Sequence, residues 1–132
     1  MSDEIDRELI GIFEFRKGAA DRLAELGPSA FDRVLHLYHS TDIPPRLSEL
    51  GGQLGRQCVD LWAEAIAAVA RANPGKYLDW LTGRQPSTLD LVLLGDVDDA
   101  RASTVLRAAL DHPEWLHRHH AQESLVRRGE WP

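Results

Sequence analysis

One cysteine, Cys58, and two lysines, Lys17 and Lys76, are all that this 132-residue chain holds of those residue types. The lone thiol excludes an internal disulfide and fits a reducing compartment. It lies beside Val59 and Leu61 in an apolar stretch, so it reads as a structural thiol and not as a nucleophile. No apolar run is long enough for a membrane-crossing helix. The opening residues MSDEIDRELI are acidic where a secretory leader would be basic and then apolar, which makes the cytoplasm the expected location. Alternating strand patterns and low-complexity tracts are also missing, so extended structure is not expected.

What is present is acid, arginine and alanine. The formal net charge is −6, and residues 1 to 66 carry −5 of it. Such a field repels nucleic acid and anionic membrane, and it favours a protein or peptide partner, a basic one above all. Thirteen arginines against two lysines, with abundant alanine, point to a GC-rich bacterial genome.

A thirteen-residue pattern, Φ-R-x-x-A-x-x-x-L-x-x-Φ-G, recurs four times. It reads FRKGAADRLAELG from Phe15, LWAEAIAAVARAN from Leu61, GRQPSTLDLVLLG from Gly83 and HRHHAQESLVRRG from His117. At about 100° per residue, its slots 0, 4, 8 and 11 share a stripe roughly 80° wide on one side of a helix. In the first copy these are Phe15, Ala19, Leu23 and Leu26. The small residue at slot 4 (Ala19, Ala65, Ser87, Ala121) admits a close helix neighbour. The copies stop at Gly27, Asn73, Gly95 and Gly129, residue types that tolerate a left-handed helix end. Pro28 and Pro74 follow two of these stops and suit the first turn of the next helix.

Between the copies the periodicity predicts a helix from Asp3, the expected N-cap, to about Phe15, and another over Ser29 to Tyr38. His39 to Arg46 reads as a loop in which Thr41 or Asp42 caps the next helix. Leu47, Leu50 and Leu54 form a short amphipathic stretch interrupted by glycines. A long helix over Gln57 to Ala72 is apolar on more than half its circumference (Val59, Leu61, Trp62, Ala65, Ile66 and Val69), which places it at the centre of the molecule. Short helices succeed it over Pro74 to Leu81 and Pro86 to Leu94. Asp96 or Asp98 caps a helix from about Asp99 to Leu110, and Pro113 opens the last one.

With these copies in place, the chain resembles the HEAT-like helical repeat proteins, the group that includes PBS-lyase and armadillo-type repeats. Leu94 to Gly129 carries the resemblance best, with a Leu-Gly-Asp opening, an Ala/Leu helix, an Asp-x-Pro turn, an arginine-bearing helix and a closing glycine. The resemblance implies one domain over residues 1–132, all-α, built as a short α-α superhelix (solenoid) of about four antiparallel helix pairs. It implies a binding scaffold more than an activity, with second helices lining a concave face. Arg16, Arg84 and Arg118 fill the motif arginine slot, which in such repeats serves interhelical ion pairs and carbonyl capping.

Some HEAT-like hydroxylases hold two irons through His-Glu dipeptides, but none of the six histidines here precedes a glutamate. No metal, cofactor or catalytic residue is therefore expected. HEAT-like DNA glycosylases use aromatic residues and a carboxylate on a basic face; Asp79 does precede Trp80, yet this chain is short and acidic. The slots facing away from the core stripe supply the partner-binding candidates: Ile66, Ala70, Leu89, Val92, His119, Gln122 and Glu123. An apolar centre with a polar border is how protein-binding surfaces are built. The expected function is a non-enzymatic protein-protein interaction module, monomeric or weakly dimeric. In one version it is an immunity-type or inhibitor protein that neutralises a basic partner. The alternative is a small enzyme or ligand-binding domain using a pocket around Trp62, Trp80 and the histidines.

Overall fold

Proline and glycine punctuation sets most helix limits, as the helix starts at Pro28, Pro45 and Pro74 show. The computed structural model describes residues 2–132. Among the described residues, 72% are helical and no strand forms. The helices are α1 (Ser2–Phe13), α2 (Ala19–Glu25), α3 (Pro28–Tyr38), α4 (Pro45–Leu54), α5 (Gln57–Ala72), α6 (Pro74–Leu81), α7 (Thr88–Leu93), α8 (Arg101–Ala109) and α9 (Trp115–Arg127), with a 3-10 turn at Leu94–Asp96. They fall into two compact units, Met1–Asn73 and Pro74–Pro132.

In the first unit α5 packs against α1, α2, α3 and α4. It buries Leu61, Ala65, Ile66, Ala67, Val69 and Ala70, which span more than half its circumference. Val59 departs from the expected apolar face and is 69% exposed. Trp62 is half-buried, with its ring against Phe13 at 5.3 Å and Tyr38 at 5.4 Å. Acids of α1 tie it to its neighbours: Glu8 to Arg22 of α2, Asp6 to Arg33 of α3 through two hydrogen bonds, and Glu14, just past the end of α1, to Arg46 of α4. Part of the acidic first half is thus taken up by internal pairs.

Several expected helix ends move. Asp3 lies inside the first turn of α1, where its charge favours the positive end of the helix. Neither Thr41 nor Asp42 caps α4; Pro44 precedes it with no side-chain cap. Gly51 and Gly52 do not break α4, since burial of Leu47 and Leu50 outweighs their weak helix propensity. Pro86 lies outside α7, which starts behind a capping box: Ser87 Oγ accepts from the Asp90 N–H, and the Asp90 carboxylate accepts from the Ser87 N–H. At α8 the acceptor for the Arg101 N–H is Asp99, not Asp96 or Asp98.

Gly27 and Gly129 have the positive φ that the motif asks for, 83° and 73°. Asn73 does not (φ −132°), and Gly95 is a different case. Gly95 is buried, and a Cβ there would run into the Arg127 guanidinium. The motif glycine at 95 makes room for a side chain and does not turn the backbone.

Candidate functional site

Helix α9 joins the second unit through one face. Ala121, Ser124 and Leu125 are buried there against α7 and α8. Ser124 Oγ donates to the Leu91 carbonyl, Arg127 to that of Val92, and Arg128 to those of Leu94 and Val97. These bonds tie α9 to backbone carbonyls of α7 and of the segment that follows it. They also fix the rotation of α9 about its own axis.

That rotation leaves the opposite face open. Trp115, His119, Gln122 and Val126, at i, i+4, i+7 and i+11, lie within about 60° of one another, and all four are exposed. Trp115 is 65% and Val126 55% exposed, with Leu116 exposed beside them. The Trp115 and His119 rings stack at 5.2 Å and 12°. Glu123 lies within 3.4 Å of His119 Nε2. An apolar strip with a polar edge results, on a helix whose other side is already packed.

A second feature of the same unit is a groove of about 570 Å³. Helix α6 stands off from α8, and Arg101, at the start of α8, links the two by donating to Asp79 and to the Gly75 carbonyl. Leu78 and Leu81 of α6, Leu91 of α7, and Val105 and Ala108 of α8 give the groove an apolar lining. Its polar groups include Arg84, Arg101, Asp111, His112 and His117. Arg84 lies over the Trp80 ring at 4.3 Å and donates through Nε to the Trp80 carbonyl. The His112 and His117 rings stack at 3.9 Å and 8°. His112 Nδ1 accepts the Glu114 N–H, so a neutral His112 holds its proton on Nε2. His117 Nδ1 is shut from solvent without a hydrogen bond; Glu114 Oε2 is 3.4 Å away but not in line for one.

Beneath α6 and α7, the buried Tyr77 hydroxyl donates to Asp90 at 2.7 Å. Burial, and then the Asp90 charge, push the Tyr77 phenol well above its ordinary value of 10. The pair joins two helices and leaves no free nucleophile or base. Elsewhere, the carboxylates of Glu14, Asp99 and Glu130 are each held low by arginine or serine hydrogen bonds.

The partner-binding candidates separate by burial. Ile66 and Ala70 are buried, because α5 is covered on several sides. Leu89 is half-buried, while Val92, His119, Gln122 and Glu123 are exposed. Trp115 was not among them, although it lies one helical turn before His119 and the i, i+4 rule places it on the same face. Of the motif arginines, Arg84 caps a carbonyl, Arg118 donates to the carbonyls of His112 and Pro113, and Arg16 pairs with Glu14. Of the residues named for the alternative pocket, Trp80, His112, His117, His119 and His120 belong to the second unit. Trp62, His36 and His39 belong to the first unit, and the groove of the second has Arg84, Arg101, Asp111, His112 and His117 among its polar residues. No group of three or more histidine, cysteine or acidic side chains able to hold a metal occurs among the described residues. No helix there is long and apolar enough to cross a membrane.

Comparison with protein-family models, with curated proteins and with solved structures finds no match.

Proposed function

We propose that this chain is a HEAT-like, non-enzymatic binding module that recognises another protein or a peptide segment through the outer face of α9. The observation that carries this reading is the exposed strip of Trp115, Leu116, His119, Gln122 and Val126. Exposed tryptophan and aliphatic groups on a rigid, one-sided helix are the raw material of interface hot spots. The HEAT-like assignment draws support from residues 94 to 129, where α8 and α9 pack as a helix pair across a short turn. It draws support as well from slots 4 and 8 of three motif copies, Ala19 and Leu23, Ala65 and Val69, Ala121 and Leu125, all of them buried. An α-α superhelix of stacked pairs and a cytoplasmic, bacterial setting complete the proposal. The acidic surplus favours a basic partner, and an immunity-type inhibitor is one version of that role.

The test is a pair of variants, Trp115→Ala and Val126→Asp, compared with wild type in cross-linking capture and in thermal melting. Both positions are exposed, so melting should be unchanged. A partner captured by wild type and lost in both variants, with a yield that falls as salt rises, is the expected result. Capture that both variants retain would remove the α9 face from consideration.

A further inference from the structure

We propose that the groove between α6 and α8 is a binding site for a small amphipathic monocarboxylate, distinct from the α9 face. Its volume, about 570 Å³, falls in the range of small-molecule pockets, roughly 300 to 1,000 Å³. Leu78, Leu81, Leu91, Val105 and Ala108 offer an aliphatic body a place out of water.

The charge pattern selects the head group. Two arginines line the groove, and they are in different states. Arg101 is saturated: it donates to Asp99, Asp79 and the Gly75 carbonyl, and its charge is compensated. Arg84 is held in place by the Trp80 ring and by one bond from Nε, and its terminal N–H groups have no partner among the described residues. A pre-positioned guanidinium with open terminal donors matches a carboxylate in two-point geometry. His112 adds an Nε2–H donor on the same lining, since its Nδ1 accepts the Glu114 N–H. Asp111, also on the lining and exposed, opposes a second negative charge. A monocarboxylate is therefore favoured over a dicarboxylate and over an uncharged alcohol of the same length.

The experiment is calorimetric titration of the full chain with octanoate, octanol and suberate, with amide chemical shifts recorded in parallel. Octanoate should bind saturably and shift residues between Leu78 and His117, and octanol and suberate should bind at least about tenfold more weakly. Arg84→Gln should weaken octanoate by about tenfold or more, whereas Lys17→Gln, a matched loss of charge in the first unit, should not. Ala108→Phe fills the groove without touching charge and should also abolish binding. Equal binding of octanol, or full affinity in Arg84→Gln, would overturn the carboxylate assignment. Non-saturating shifts spread over both units would mean surfactant-like adsorption and would overturn the site itself.

Discussion

Phe15 occupies a backbone position that glycine holds elsewhere in the chain. At the end of α9, Glu130 N–H donates to the Leu125 carbonyl across Gly129, whose φ is 73°. At the end of α1 the same bond runs from Arg16 N–H to the Gly11 carbonyl across Phe15, with φ 58° and 64% of the residue exposed. A left-handed conformation costs an L-residue about 1 to 2 kcal/mol, and glycine avoids that cost. Phe15→Gly should therefore raise stability by about 0.5 to 1 kcal/mol after glycine's larger chain entropy is subtracted. A denaturant midpoint at or below wild type would show that the Phe15 ring makes compensating contacts. Tyr77 supports a second prediction at this scale. Tyr77→Phe leaves Asp90 one donor short and should cost about 1 to 2 kcal/mol at neutral pH. Because the phenol is raised in the folded state, its contribution is complete below the unfolded value of 10 and is lost as pH rises above it. Melting temperature should fall with pH above about 10 in wild type, and that limb should be absent in Tyr77→Phe.

At the scale of the element, two glycines inside helical segments should respond in opposite directions. Gly52 lies in α4, and a Cβ there would meet nothing within 4 Å. Gly52→Ala should stabilise by up to about 1 kcal/mol, the propensity difference alone. Gly95 lies where the Arg127 guanidinium crosses the 3-10 turn, bonded to the Val92 carbonyl and 3.6 Å from Asp96. Gly95→Ala should displace Arg127 and break these ties, at a cost of about 1 to 2 kcal/mol. Chemical denaturation of the two variants checks both signs. If Gly95→Ala were neutral, the α7 to α9 junction would not depend on Arg127.

For the whole molecule, acid should be the more informative axis. Arg16 first and then Arg46 hold Glu14 below its ordinary value of 4.5; Arg101 does the same for Asp99, and Ser103 and Arg128 for Glu130. A carboxylate depressed by folding stabilises fully above its unfolded value, and that stabilisation is lost as pH falls through the lower folded value. Melting temperature should thus be flat from neutrality to about pH 5 and decline below about pH 4.5. A decline that began well above pH 5 would show that these three carboxylates do not set the acid transition.

How much could be read in advance depended on the distance over which each feature is decided. Helix α5 has the limits its sequence implies, Gln57–Ala72, because a dense apolar run and an Asn-Pro stop are local signals. The starts at Pro28 and Pro74 and the turn at Gly129 are local in the same way. The Ser87 and Asp90 capping box was also legible, but the repeat pattern claimed Ser87 for a helix stripe it does not occupy. Phe15 escaped because no propensity places a phenylalanine at positive φ. Gly95 escaped because its reason is Arg127, which meets it only after α9 has docked on α7. The open face of α9 was half legible: spacing alone puts Trp115, His119, Gln122 and Val126 together, while the buried Ser124 bond to Leu91 decides which side they face. Of the groove's lining, the sequence singles out only the histidines for a pocket. Its walls come from helices joined chiefly by long side chains, and whether Arg84 or Arg101 keeps free donors depends on which carboxylates and carbonyls the fold brings within reach.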